Sequence, residues 1–286
     1  MEKIKDFSNT EVTHVKTGKL EYLTFNALEK YKEKILAVVT LRHGGVSNGV
    51  HNSLNFRAAG KDKLENVIQN LNIICNELQI APNEVYKGRQ EHTDNILYIT
   101  DANKQDYELS KFNDNNVDGY IYGKGITALV TTADCNAIII YDQKNNKVAN
   151  VHSGWKGTTQ KIYIKAIQKM EEQFGTNPKD LIVCVSPSVL SCCFSSEDEK
   201  FKKIFTDIWS YEEKYITADN KNPKRFHIDL SYVITKDLIE YGVSKENIHF
   251  AGICTCCNNE HFYSYRSKTQ KGEQDYGCMA TIVKVL

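Results

Sequence analysis

What this chain lacks narrows it first. No stretch approaches the run of about 18 apolar residues that crosses a bilayer as a helix, so no membrane partner is expected. Neither sign of charge is in excess, since 36 basic residues meet 36 acidic ones. That removes the electrostatic footprint of a nucleic-acid-binding protein. The opening residues, MEKIKDFSNTEV, have no apolar core of the secretory kind, and a cytoplasmic location is expected. Proline is scarce, with four residues scattered through 286. No Pro/Gly-rich linker, low-complexity tract or internal repeat divides the chain, so one domain over residues 1–286 is the simplest organisation.

Cysteine, by contrast, is plentiful. There are nine, an odd number, so the chain cannot close a complete disulfide set on itself. In a reducing compartment they are thiols. Most serve as small buried hydrophobes, and a few are available to bind metal or react. Apolar, β-branched segments at 22–25, 35–41, 181–185, 226–230, 247–251, 262–266 and 280–286 read as strands. Residues 64–78 read as a helix, with Val67, Leu71, Ile74, Cys75 and Leu78 on one stripe. A second helix follows Thr158, with Tyr163, Ala166, Ile167, Met170 and Phe174 on one face and Gly175 as its cap. Residues 231–241 form a third, closing at Gly242. Residues 101–116 are polar and read as an exposed loop. Strands and helices interleave without strict alternation. The fold class is therefore α/β (α+β), a mixed β-sheet core flanked by helices.

The stretch that organises the rest is residues 128–158, ALVTTADCNAIIIYDQKNNKVANVHSGWKGT. Two apolar strands, 128–141 and 147–152, are joined by polar turn residues. Pairing Tyr141 with Val148 sets Ala137 opposite His152, and Cys135 shares the face of Ala137. Thiol and imidazole then become diagonal neighbours, about 7–8 Å apart along the backbones. Asp134 points to the other face, where it can orient a neighbour or cap a loop. The strand–loop–helix order after His152 puts a small glycine-bracketed loop at a helix N-terminus, a location that favours anions. His92 lies on a connection between short strands at 85–87 and 96–99. Two imidazoles and a thiolate, His92, Cys135 and His152, are three soft-metal donors. On zinc such a set leaves a fourth position for water, whose pKa falls toward about 7. The gaps of 43 and 17 residues spell no local metal motif. From the hairpin alone, Cys135 and His152 serve equally as nucleophile and base or as packed side chains.

Other residues have two readings each. Arg42, followed by Gly44 and Gly45, offers a guanidinium fork and a backbone that can approach an anion closely; the same loop is also an ordinary Gly-Gly turn. Trp155 can stack on a base or anchor packing. Arg266 can bind an anion or sit in a structural ion pair. Cys192-Cys193 together with the C-x-x-C of Cys254 and Cys257 are either a structural zinc site or incidental thiols.

Seven motifs occur in a fixed order: Thr40-Leu41-Arg42-His43-Gly44-Gly45-Val46-Ser47, Ser53-Leu54-Asn55, Gln90-Glu91-His92, Thr132-Ala133-Asp134-Cys135, His152-Ser153-Gly154-Trp155-Lys156-Gly157, Cys254-Thr255 and Phe262-Tyr263-Ser264-Tyr265-Arg266. With them the chain, from about Phe25 onward, resembles the YfiH/YlmD-like proteins, also called the laccase-domain or multicopper polyphenol oxidase family. The resemblance implies that His92, Cys135 and His152 bind a catalytic zinc. It implies phosphorolysis of adenosine, inosine, guanosine or methylthioadenosine, and hydrolytic deamination of adenosine. Purine nucleosides and phosphate are then the partners, with Arg42, Gly44 and Gly45 holding phosphate and Trp155 and Arg266 as further substrate contacts. The implied fold is an α/β sandwich similar to the catalytic domain of cytotoxic necrotizing factors, where a Cys–His pair does the work. The older family name implies copper and phenol oxidation instead. The chain has no His-x-His pair, so a four-copper cluster is not expected. The same residues also fit a Cys–His hydrolase or amidase, or a metal-binding protein without turnover. Asn136, Asn116-Val117-Asp118-Gly119 and Ser186-Pro187-Ser188 depart from the family pattern and leave base preference and pocket shape open. The oligomeric expectation is a monomer or small homo-oligomer.

Overall fold

The computed structural model describes residues 6–100 and 113–286. Two six-stranded mixed sheets pack face to face, and helices cover both outer faces. The first sheet runs Val12–Thr17, Leu20–Phe25, Ile35–Thr40, Met279–Val285, Thr127–Thr132, Val85–Tyr86 in spatial order. The second runs Ile248–Phe250, Leu181–Val185, Asn136–Asp142, Lys147–Ser153, Gly119–Tyr122, Ile96–Tyr98. Within these two sheets pairing is antiparallel except for three short strands, Val85–Tyr86, Ile248–Phe250 and Ile96–Tyr98, which pair in parallel. The helices are α1 (Leu64–Glu77), α2 (Trp155–Thr159), α3 (Ile162–Phe174), α4 (Glu199–Thr206), α5 (Leu230–Tyr241) and α6 (Tyr265–Lys271).

The layering explains the long apolar runs. Val39, Val130 and Val283 of the first sheet meet Ala137, Ile139 and Tyr141 of the second in one core. The alternate residues point outward and are buried too. Val38, Leu129 and Ile282 pack on Leu71 and Ile74 of α1, while Ile138, Ile140 and Val183 pack on α3 and α5. Strands covered on both faces need no polar alternation, and each such aliphatic side chain contributes about 1.5–3 kcal/mol by leaving water. Two polar side chains tie the sheets together. The Asn150 amide donates to the carbonyls of Ala128 and Thr281, both at 3.2 Å, and the Tyr122 hydroxyl donates to the Val283 carbonyl at 2.9 Å.

The expected hairpin is present in the expected register, with Tyr141 opposite Val148 and Ala137 opposite His152. Gly175 and Gly242 close α3 and α5 in the left-handed region, at φ 65° and 114°. Three expectations are corrected. The core holds two mixed sheets where one was expected. The apolar run over 128–141 is two strands in different sheets: Thr127–Thr132 belongs to the first and Asn136–Asp142 to the second. The chain crosses between them at Ala133-Asp134-Cys135, where Asp134 takes φ 87°, a conformation that Asp tolerates better than most side chains. Residues 262–266 are not a strand, because Ser264 caps α6 by accepting from the Ser267 amide at 3.0 Å. Residues 101–112 of the expected loop lie outside the described residues; Asn113–Asn116 is a short strand paired with Gly88–Arg89.

Candidate metal centre

His92, Cys135 and His152 come from three places in this sandwich. His152 is on Lys147–Ser153 in the second sheet. Cys135 is the last residue of the crossover between sheets. His92 sits in the loop between Gly88–Arg89 and Ile96–Tyr98. Their donor atoms all lie within 4.8 Å of one another. His92 Nε2 is 3.8 Å from Cys135 Sγ, and the two imidazoles meet edge to face with centroids 4.8 Å apart. His152 is buried, Cys135 half-buried and His92 exposed. Cys135 precedes the strand on which it was expected, so its thiol reaches His152 from the crossover.

Asp118, to which sequence reasoning gave no role, organises the group. It is fully buried. Its Oδ1 accepts from His152 Nδ1 at 2.8 Å and from the His92 amide at 3.1 Å. Its Oδ2 accepts from the amides of Glu91 and Thr93 at 3.2 and 2.7 Å and from the Thr93 hydroxyl at 2.7 Å. One carboxylate thus fixes the ring of one histidine and the backbone of the other. The bond at Nδ1 leaves Nε2 as the nitrogen His152 offers to the triad, the usual arrangement behind a metal-bound imidazole. The same carboxylate holds His92 at φ 60°, in the left-handed region that non-glycine residues seldom occupy. Asp134, in the same region, is held by its own bonds: its carboxylate accepts from the Thr255 hydroxyl and the Arg266 amide, both at 2.6 Å. Both strained positions of the centre therefore carry, or face, a buried carboxylate.

The donors fit a cation. With metal–nitrogen and metal–sulfur bonds of about 2.1 and 2.3 Å, a tetrahedral ion separates N from S by about 3.6 Å, close to the 3.8 Å found between His92 and Cys135. Gly154 makes the space. A Cβ added there would stand 2.8 Å from Cys135 Sγ and 3.0 Å from His92 Cδ2. Burial by itself would raise the Cys135 thiol, but the His152 and His92 imidazoles override it and bring it down to about 6. Burial would lower His152, but the Cys135 thiolate and Asp118 raise it to about 9. Burial likewise opposes the Asp118 carboxylate, and the bonds from His152 and Thr93 bring it down to about 2. The sulfur is thus favoured as thiolate, the form that binds metal.

The other expected residues are placed differently. Arg42 directs Nε to the Asn52 carbonyl and Nη1 to the Asn259 carbonyl, each at 2.8 Å, and lies 4.5 Å over the Tyr263 ring. Gly44 and Gly45 make close approaches, but to the chain itself. A Cβ on Gly44, at φ 93°, would meet the Leu20 backbone at 2.6 Å, and one on Gly45 would meet the Ser53 carbonyl at 2.3 Å. The Gly45 amide donates to the Ser53 hydroxyl at 3.1 Å. Trp155 packs edge to face on Phe201 of α4 at 5.1 Å. Arg266 opens α6 beside the crossover, bound through its amide to Asp134. Its charge also favours the ionised form of the Asp134 carboxylate against the opposing effect of burial. The signal that could have found Asp118 is chemical: a histidine that ligates metal through one nitrogen commonly donates the other to a carboxylate, and the acid just before Gly119–Tyr122 supplies it.

Comparison with known proteins shows the family. The model of the family described as multi-copper polyphenol oxidoreductase laccase matches residues 36–285, and the chain belongs to that family. A Bacteroides thetaiotaomicron relative named purine nucleoside phosphorylase is 28% identical over 250 residues, 85% of this chain and 90% of the relative. A Clostridium acetobutylicum relative with the same activity in its name is 32% identical over 222 residues, 75% and 82% of the two chains. The crystal structure of YlmD from Geobacillus stearothermophilus superimposes with a TM-score of 0.82 at 20% identity, covering 98% of this chain and 99% of that one. That of the Bacillus licheniformis protein YfiH gives 0.81 at 23%, covering 94% and 97%.

Proposed function

We propose that this member of the family is a purine nucleoside phosphorylase whose His92, Cys135 and His152 hold one zinc ion, and that the same centre deaminates adenosine. The observation that carries the reading is the donor set itself: two imidazoles and one thiolate, brought within 4.8 Å and braced by a buried carboxylate. Relatives named for nucleoside phosphorolysis support the substrate class. Adenosine, inosine, guanosine and methylthioadenosine are the proposed nucleosides, with phosphate as co-substrate.

A bound zinc supplies Lewis acidity and a water whose pKa falls toward about 7. The chain's residues do the rest. Asp118 holds His152 in one tautomer and sets the His92 loop. Gly154 keeps the space between Cys135 and His92 clear. In phosphorolysis, phosphate attacks the anomeric carbon of the ribose as the purine leaves. Arg266, beside the crossover, where its charge also acts on the Asp134 carboxylate, is the phosphate ligand we favour. Arg42 takes part by exchanging the chain carbonyls it engages in the resting protein and Gly45 by exchanging the Ser53 hydroxyl, with Gly44 beside them, and Trp155 takes part by offering the ring face not packed on Phe201. We place the enzyme in the cytoplasm, as one domain and a monomer or small homo-oligomer. The likeness to the catalytic domain of cytotoxic necrotizing factors is read here in the Cys135–His152 pair.

Phenol oxidation by several copper ions is disfavoured by the ligands. All eight histidines lie among the described residues, yet no donor group there gathers more than two of them. The deciding experiment incubates purified protein with adenosine, with and without phosphate, and resolves adenine from inosine. Adenine with ribose 1-phosphate is expected only with phosphate, and inosine in its absence. Conversion to neither overturns the reading. An active metal-free protein inactivated by iodoacetamide would make Cys135 a nucleophile instead.

A further inference from the structure

The geometry points to a second metal site, in which Cys192, Cys193, Cys254 and Cys257 close around one zinc ion without an open position. The proposal is independent of the activity assigned above. The four sulfurs lie within 4.8 Å of one another. Cys257 Sγ is 3.4 Å from Cys193 Sγ and 3.6 Å from Cys192 Sγ. Four thiolates at about 2.3 Å from a tetrahedral ion stand about 3.8 Å apart, so these side chains need only small adjustments to enclose one. The set is too tight for an iron–sulfur cluster, whose thiolates sit on separate irons.

Two facing turns build the site. After Leu181–Val185, the chain turns at Leu190, whose carbonyl accepts from the amides of Cys193 and Phe194, both at 2.9 Å. After Ile248–Phe250, the parallel neighbour of that strand, a second turn carries Cys254 and Cys257. The turns are stitched together: Ser188 bridges to Cys254, and the Thr255 amide donates to the Ser188 carbonyl at 3.0 Å. Cys254 Sγ takes backbone N–H bonds from Leu190 and Cys257, the pattern by which a tight turn presents a thiolate. Cys256, inside the same turn, lies outside the group of four; its thiol bonds to the Gln270 side chain at 3.7 Å and neighbours Cys193. Four protein ligands with no vacancy mark a structural ion. What it braces is close at hand, since Thr255 and Val189 both bond to Asp134, the residue before Cys135.

The test is metal analysis of the full chain, purified under reducing conditions, for the wild type and for C192S/C257S. Zinc content should fall by about one ion per chain, whatever the occupancy of the other centre. Equal zinc in both proteins overturns the site. Should the double variant fail to fold, cobalt(II) titration of metal-stripped C135A decides. Intense sulfur-to-cobalt charge-transfer absorption of a tetrathiolate is expected there, and its absence overturns the proposal. So does mass spectrometry of anaerobically alkylated wild type that finds a disulfide among these four residues.

Discussion

Two groups of metal-seeking side chains lie on either side of Asp134, and they are built on opposite plans. His92, Cys135 and His152 come from a loop, a sheet-to-sheet corner and a strand, and none of them holds the others in place. Their alignment is imposed from outside by the buried Asp118 and by the room left at Gly154. The four thiols come from two tight turns stitched by backbone bonds, and their alignment is local. The first offers three donors and tolerates strain at two residues. The second offers four. On the roles proposed above, the centre that turns over is assembled by tertiary structure and the one that braces by turns.

The sharpest way to break this contrast is Cys135→Ala. Metal retention at the triad and turnover should fall together, by about 10³-fold or more in rate, while the ion held by the four thiols stays. If turnover survives, the triad is not the reactive centre. Next comes alkylation of the metal-free protein. Cys135 is brought down to about 6 and so is thiolate at neutral pH, whereas burial and then the neighbouring sulfurs push Cys192 up to about 12. Iodoacetamide at pH 7 should label Cys135 about 10²-fold faster, after allowing for the lower intrinsic nucleophilicity of the more acidic thiol. The Cys135 rate should fall as pH drops through about 6, because protonation removes the thiolate; a rate that rises only near the ordinary thiol range would disprove the imidazole pairing. Asp118→Asn should weaken zinc binding at the triad by about 10–100-fold, read by competition with a chromogenic chelator, and leave the thiol cluster unchanged. Smallest is Gly154→Ala, where the added Cβ crowds Cys135 and His92. A cost of about 1–3 kcal/mol confined to the triad corresponds to roughly tenfold or more in zinc affinity, with little change in melting temperature.

Much of this was legible in the chain. The hairpin register follows from where the polar residues between Asp142 and Lys147 fall, and it sets His152 where the structure has it. The helix stripes and the glycine caps at 175 and 242 were equally plain, because each is a local effect. The sheet change at Asp134 was hidden: residues on both sides are buried on both faces, so no alternation marks the boundary, and neither Gly nor Pro announces the corner. Asp118 was hidden for a related reason, since its partners, at 91–93 and 152, are far along the chain. Arg42, Gly44 and Gly45 read as a ligand loop because close backbone approach has the same sequence signature whether the partner is a phosphate or residue 20, and in the structure the approach made is to the chain itself. The sequence does not say which partners the loop has in its resting state.

The corner at Ala133-Asp134-Cys135 sets the thiol at the seam between the two layers. Its sulfur stands where the polypeptide leaves one layer for the other, while His152 belongs wholly to the second layer, and the Asn150 and Tyr122 side chains lock the layers in register. Cys135 directly precedes the strand that pairs with that of His152, so the hairpin of the second layer by itself brings sulfur and nitrogen together. What the first layer adds is the backbone on the far side of the corner, which fixes the direction from which the thiol approaches.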